Sequence, residues 1–191
     1  MGLIEDKAAL RREMMAARDR LLPTERKLSS LGIATVGVPA ELLKKPSNVS
    51  SYYAIGAELD MTPLERILIE AGHSICLPCI QGKAEPMLFR TRIPGAPMRE
   101  RKWGIMEPIE PAPSVDPDVL LVPLLAWDAQ GYRLGYGGGY YDRTIEALRR
   151  RKPVVVVGVA YDEQKVDVVP RLDYDQRLDW MLTPSGVIRF T

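Results

Sequence analysis

LLAWDAQGYRLGYGGGYYDRTIEALRR, from Leu124 to Arg150, follows an apolar run over Val119 to Val122 that reads as a buried strand. It ends in a helical pattern that begins near Gly139. Between strand and helix stand Arg133, four glycines (Gly135, Gly137, Gly138, Gly139), three tyrosines (Tyr136, Tyr140, Tyr141) and Asp142. A strand, a glycine-rich loop and a helix N-terminus together can bind an anion. The first helical N–H groups lack partners and carry partial positive charge, and glycine lets the backbone approach a phosphate. The stretch is not a P-loop, because no GxxxxGK[ST] is present, and Tyr140 stands where the third glycine of GxGxxG would fall. On these residues alone, a tight turn whose glycines supply positive φ is an equal alternative.

Outward from this stretch, Val154 to Ala160 reads as an apolar central strand, giving a strand–helix–strand unit. An earlier unit precedes it. Val49 to Ile55 is rich in β-formers, with Glu58 and Asp60 just beyond. Thr62-Pro63-Leu64-Glu65 reads as a helix start, with Thr62 as N-cap, Pro63 at the first helical position and Glu65 closing a capping box. Leu64, Ile67, Leu68 and Ala71 form the expected buried stripe, Gly72 ends the helix, and Ser74 to Pro78 returns as a strand. Two βαβ units imply an α/β fold of three layers, a mostly parallel sheet with helices on both faces. Ligands of such sheets bind beyond the carboxyl ends of the strands. The loops with Glu58 and Asp60 and with Arg133 to Asp142 should share that edge. An anion cradle, an arginine, an acid able to hold Mg²⁺ and a separate carboxylate beside tyrosines suggest a nucleotide next to an organic substrate. Asp142 also suits a first helical turn through the dipole alone.

The amino-terminal part predicts a helix over Lys7 to Arg20, with Leu10, Met14, Ala17 and Leu21 as its apolar stripe. Lys7 and Arg11, four apart, share a face that helical geometry alone assigns to solvent. A second helix starts at Pro23, with Leu28, Leu31 and Thr35 inward. Pro86 to Arg90 is a short strand, the proline-rich residues 91–118 are mostly loop, and Asp162 to Pro170 is loop or short helix. Asp179 to Thr183 and Val187 to Phe190 read as late edge strands or tails. Trp103 in KWGIMEP reads as a covering of the core, and His73 as a helix-end residue. Cys76 and Cys79 form a CxxC inside a strand, where the helix N-terminus that activates a redox thiol is missing.

At 191 residues and 46% apolar, one domain over 1–191 is expected. A net charge of +1 gives no reason to expect a nucleic-acid partner. No apolar run is long enough to span a membrane, and MGLIEDKAALRR resembles neither a signal peptide nor a myristoylation site. The expectation is a cytoplasmic protein.

RLGYGGGYYDR, preceded by VPLLAWDAQG, resembles the signature of the 5-formyltetrahydrofolate cyclo-ligases, or methenyltetrahydrofolate synthetases. The likeness runs along nearly the whole chain. KAALR from Lys7 to Arg11 is similar to the family's amino-terminal K-x-x-x-R. Glu58 in AELDMT resembles its substrate glutamate, and Trp103-Gly104-Ile105 with Glu107-Pro108 its mid-chain loop. Gln164 in AYDEQ, Pro170 and Asp175 fall in its carboxy-terminal pattern. The resemblance implies ATP-dependent closure of 5-formyltetrahydrofolate to 5,10-methenyltetrahydrofolate, with Mg²⁺ present and ADP and phosphate released. It implies that Lys7, Arg11 and Arg133 hold the triphosphate over the amides of Gly135, Gly137, Gly138 and Gly139, with Tyr140 beside them. Asp142 and Asp175 would bind the metal. Tyr53, Glu58, Trp103, Tyr136 and Tyr140 would hold the folate, with Arg133 and Glu58 closest to the chemistry. A monomer is expected. Some relatives carry lysine where this chain has Gly138, which leaves more of the phosphate charge to Lys7, Arg11 and Arg133. Two other readings stay open: a nucleotide site serving a different second substrate, and a non-catalytic folate- or nucleotide-binding module.

Overall fold

A computed structural model of the protein describes residues 2–43 and 46–191. Helices α1 (Leu3–Asp19) and α2 (Pro23–Val36) come first. Strand β1 (Asn48–Ser50), helix α3 (Thr62–Glu70) and strand β2 (Ser74–Cys79) form the first βαβ unit, and β3 (Leu88–Thr91) returns antiparallel to β2. β4 (Met98–Glu100) and β5 (Met106–Pro108) make a separate hairpin. β6 (Val119–Pro123) leads into a small antiparallel pair, β7 (Ala126–Trp127) and β8 (Arg133–Leu134). Then α4 (Tyr140–Arg151) and β9 (Val155–Val159) complete the second βαβ unit, and β10 (Trp180–Thr183) and β11 (Gly186–Arg189) end the sheet.

The main sheet has seven strands in the order β11-β10-β9-β6-β1-β2-β3. The five inner strands, β10 to β2 in that order, are parallel, and both outer strands are antiparallel to their neighbours. Successive side chains of β6 point to opposite faces, and both faces are covered. This is why Val119 to Val122 is an unbroken apolar run rather than an alternating one. Val119 and Leu121 pack with Val49, Ile75 and Val157 beneath Ile33 and Ala34 of α2 and Leu64 and Leu68 of α3. Leu120 and Val122 pack with Val156, Phe89 and Met181 beneath Ile145 and Leu148 of α4. The expected three layers are present.

Several local expectations are corrected. β1 stops at Ser50, well short of Ile55. The chain leaves the ladder there, Tyr52 turns into the core, and Gly56 makes a turn at φ 57°. Leu28 and Leu31 of α2 are exposed, and the packed residues are Ser30, Ile33 and Ala34. Small residues set that rotation: a Cβ on Gly32 would lie 3.2 Å from the side chain of Pro184. In α3, Met61 rather than Thr62 is the N-cap, and Ile67 is exposed. Asp60 Oδ1 accepts from the Thr62 amide at 3.0 Å and from its hydroxyl at 2.6 Å. Glu65, released from a capping role, is buried and paired with Arg92. Of the two late strands, β10 is interior and β11 forms one edge of the sheet. Cys76 and Cys79 are both buried and unpaired. Burial pushes their thiols up, to about 12 and about 11, the opposite of what a redox pair requires.

Candidate active site

The basic residues of α1 face inward. Lys7, Met14 and Arg18 are buried, with Arg11 half-buried between them, a spacing that places all four on one helix face. The solvated-surface reading of Lys7 and Arg11 is therefore corrected. Lys7 is 7% exposed and pairs with Asp175. Arg11 Nε donates to the carbonyl of Gly135 at 2.9 Å, and its guanidinium lies over Gly137. Buried cations persist where each has a counter-charge or acceptor, and these have them.

The glycine loop leaves β8 and enters α4. Gly137 and Gly139 have φ of 97° and 66°, which accounts for glycine at those two positions. Gly139 is the N-cap of α4 and offers no side-chain cap. Among the described residues, the backbone N–H groups of residues 136–142 donate to no protein group. These free donors sit at the positive end of a twelve-residue helix on a half-open surface, the geometry of an anion site.

Asp142, in the first turn of α4, is part of a network. Its Oδ1 accepts from Arg133 at 2.7 Å and from the Gln176 amide at 3.0 Å. Arg133 also donates to the Gln176 carbonyl. Asp175, the next residue back, accepts from Lys7 and, at 2.7 Å, from the Leu172 amide. Each carboxylate thus keeps one oxygen without a partner among the described residues. Two hard oxygen donors beside an anion cradle suit Mg²⁺, which binds one or two carboxylates and completes its shell with phosphate and water.

Glu58 lies on the other loop. Its side chain is buried, and Oε2 accepts from the Ile55 amide at 2.9 Å. Arg18 Nη1 lies 3.9 Å from Oε1. The Tyr136 hydroxyl accepts from Arg18, and the Tyr136 phenol feels the Glu58 charge. Desolvation raises the Glu58 carboxyl above its ordinary value, against the Ile55 amide, Arg18 and Tyr136, which all lower it. Burial likewise lifts Tyr136, to about 12, and Tyr141 further. The structure therefore brings Glu58 to Tyr136 of the glycine loop. Tyr53 is largely exposed and makes no side-chain hydrogen bond to them. The backbone of Trp103 lies in a short 3-10 turn, Lys102–Gly104, and its side chain is outside what the structure describes.

Residues 3–184 match the 5-formyltetrahydrofolate cyclo-ligase family. The chain belongs to that family. It is 36% identical to the 5-formyltetrahydrofolate cyclo-ligase of Escherichia coli K12 over 73% of this chain and 79% of that protein. It is 32% identical to that of Haemophilus influenzae over 69% and 73%. The solved 5,10-methenyltetrahydrofolate synthetase of Aquifex aeolicus superposes with a TM-score of 0.77 at 31% identity, covering 96% of this chain and 92% of that one.

Two residues of this cyclo-ligase family member escape a reading of the sequence. Arg18 continues the Lys7–Arg11 face three turns along, and that spacing was the available signal. Arg143 follows Asp142 directly. It donates to the Gly138 carbonyl at 2.8 Å and lies over the Tyr140 ring at 5.3 Å. The Tyr140 ring in turn occupies the space above Gly138, 2.8 Å from where a Cβ would stand. Lys7 and Arg133 are already matched by Asp175 and Asp142, whereas Arg11 and Arg143 have no carboxylate partner among the described residues. Arg11 and Arg143 are thus cations at the glycine loop that no carboxylate among the described residues matches.

Proposed function

We propose that this protein closes 5-formyltetrahydrofolate to 5,10-methenyltetrahydrofolate at the expense of ATP, with Mg²⁺. One observation carries the reading within the family: Arg18 touches both Tyr136 of the amide cradle and the buried carboxylate of Glu58, which joins the two loops at one edge of the sheet. A triphosphate fits the first and the planar N–H donors of a folate ring fit the second.

A formamide oxygen is a poor leaving group. In the proposed reaction this oxygen attacks the γ-phosphorus and the bond to the bridging oxygen breaks, releasing ADP. N10 then attacks the formyl carbon, phosphate departs with the former formyl oxygen, and N10 gives up its proton. No step requires a nucleophilic side chain. Catalysis of this kind rests on positioning and charge neutralisation. Amides from Gly137, Gly138 and Gly139 into α4 receive the phosphates, with Lys7, Arg11 and Arg133 around them. Glu58 accepts from the pterin ring, and Tyr136 and Tyr140 flank the junction of the two substrates, with Tyr53 and Trp103 on the folate side. Asp142 and Asp175 would hold Mg²⁺, which supplies charge for the developing ADP and phosphate.

Residues 1–191 act as one domain and as a monomer in this proposal, in the cytoplasm and without nucleic-acid or membrane partners. Among the described residues, no helix is long and apolar enough to cross a membrane. Mixing protein, ATP, Mg²⁺ and 5-formyltetrahydrofolate tests the reading. Methenyl absorbance is expected only with all four present, with ADP formed in equal amount. ATP hydrolysis without methenyl product would point to a different second substrate, and no turnover with intact binding would point to a non-catalytic module.

A further inference from the structure

The Arg18 guanidinium is 5% exposed, and its Nε has no hydrogen-bond partner among the described residues. Burying a guanidinium is costly unless a counter-charge faces it, and Glu58 is that counter-charge at 3.9 Å. A second connection runs through Tyr136. Its hydroxyl accepts from Arg18, whose guanidinium also lies 5.6 Å from the Tyr136 ring centroid, and the Tyr136 phenol feels the Glu58 charge. The three side chains come from α1, the loop after β1 and the glycine loop. We propose that Arg18 is a positioning residue for the cyclisation, holding Glu58 ionised and, through Tyr136, oriented toward the folate ring. The proposal rests on Glu58 being the folate acceptor.

The reason is the environment of Glu58. Desolvation favours its neutral form, which would turn one oxygen into a donor and forfeit charge-assisted acceptance. The Ile55 amide, Arg18 and Tyr136 oppose that. Around the cluster stand the phenols Tyr52 after β1, Tyr141 on α4 and Tyr161 after β9, with Arg133 acting on Tyr141, and Arg26 and Glu163 on Tyr161. Burial lifts all of these phenols, and Tyr136 with them. Among the described residues, Arg18 is the cation that pairs with Glu58.

The test is a carbon-13 NMR titration of glutamate carboxyls, with Glu58 assigned by its absence in Glu58→Gln, alongside pH profiles of kcat/KM. In Arg18→Met the Glu58 midpoint is expected to rise by about 1–3 pH units. The acidic limb of kcat/KM for 5-formyltetrahydrofolate should move with it while KM for ATP holds. Arg18→Lys restores a charge and should bring both back toward wild type, which a merely structural role would not do. An unmoved midpoint in folded Arg18→Met overturns the proposal. Should Arg18→Met not fold, Tyr136→Phe on the exposed loop decides: a raised midpoint supports the arrangement, and a wild-type midpoint overturns it. Glu58→Gln separates the two levels. It is expected to lower kcat/KM for the folate by roughly 10- to 100-fold, the loss of a charged hydrogen bond. An unchanged value removes Glu58 from the folate site, and the catalytic meaning of Arg18 with it. A lowered value together with an unmoved Arg18→Met midpoint overturns Arg18 alone.

Discussion

Asp142 has two roles that a single substitution can separate. It neutralises the buried Arg133, and it presents a free carboxylate oxygen beside the amide cradle. Asp142→Asn keeps an acceptor for Arg133 but removes the charge. Turnover should fall by roughly 100-fold or more, with a stability loss of about 1–3 kcal/mol as Arg133 loses its counter-charge. Turnover against Mg²⁺ concentration, together with the melting temperature, checks this. Retained activity with a loss of only about 0.3–1 kcal/mol would reduce Asp142 to a partner of the helix dipole. Lys7→Ala with Arg11→Ala should raise KM for ATP more than KM for the folate, because both side chains lie at the glycine loop and its Asp175 neighbour rather than at Glu58. Binding should weaken but persist, since the helix amides remain. An equal change for both substrates would remove the pair from the nucleotide site. Asp142 and the glycines were legible in the sequence because a glycine loop before a helix has a chemistry of its own. Arg18 was not. A cation on an amphipathic helix looks solvated until Glu58 and Tyr136, 40 and 118 residues away, are folded against it.

At the scale of elements, the sequence was most informative where an element is apolar on both sides. β6 and β9 are continuous hydrophobic runs because α4 covers one face and α2 and α3 the other, so their existence and parallel pairing followed from pattern alone. Where an element's orientation depends on a small residue meeting a distant one, the pattern misled. α2 turns Ile33 and Ala34 inward because Gly32 lets it approach Pro184, and Leu28 is left outside. β1 looked longer than it is because Tyr52 and Ile55 are good strand residues that here serve the bend carrying Glu58. Close packing of β9 gives a direct check on the sheet. A Cβ on Gly158 would stand 2.6 Å from Leu178 Cδ1, 2.8 Å from Met181 Sδ and 3.0 Å from Leu124 Cδ2. Gly158→Ala should therefore lower stability by about 1–3 kcal/mol in urea unfolding. An unchanged urea midpoint would mean that this face of the sheet is looser than described.

For the whole molecule, the buried acids set an alkaline limit. Burial lifts Cys76 from its ordinary 9.0 to about 12 and Cys79 to about 11, and it lifts Tyr52, Tyr136, Tyr141 and Tyr161 above their ordinary 10.0. An acid raised in the folded state contributes stability that is complete below its unfolded value and is lost as pH climbs toward the folded one. Stability should hold to about pH 8.5 and then fall, by up to about 1.4 kcal/mol per pH unit for each such group. The urea midpoint across that range measures it. Cys76→Ala should flatten the slope, and a midpoint constant up to about pH 10.5 would contradict the buried thiols and phenols. The central claim, that the two loops bring a triphosphate to a formyl oxygen, has a more direct test. 5-Formyltetrahydrofolate labelled with oxygen-18 in the formyl group is converted with ATP and Mg²⁺, and the released phosphate is analysed by mass. The label is expected in phosphate, one atom per methenyl product formed, and methenyl formation with the label in water instead would contradict phosphorylation of the formyl oxygen at this site.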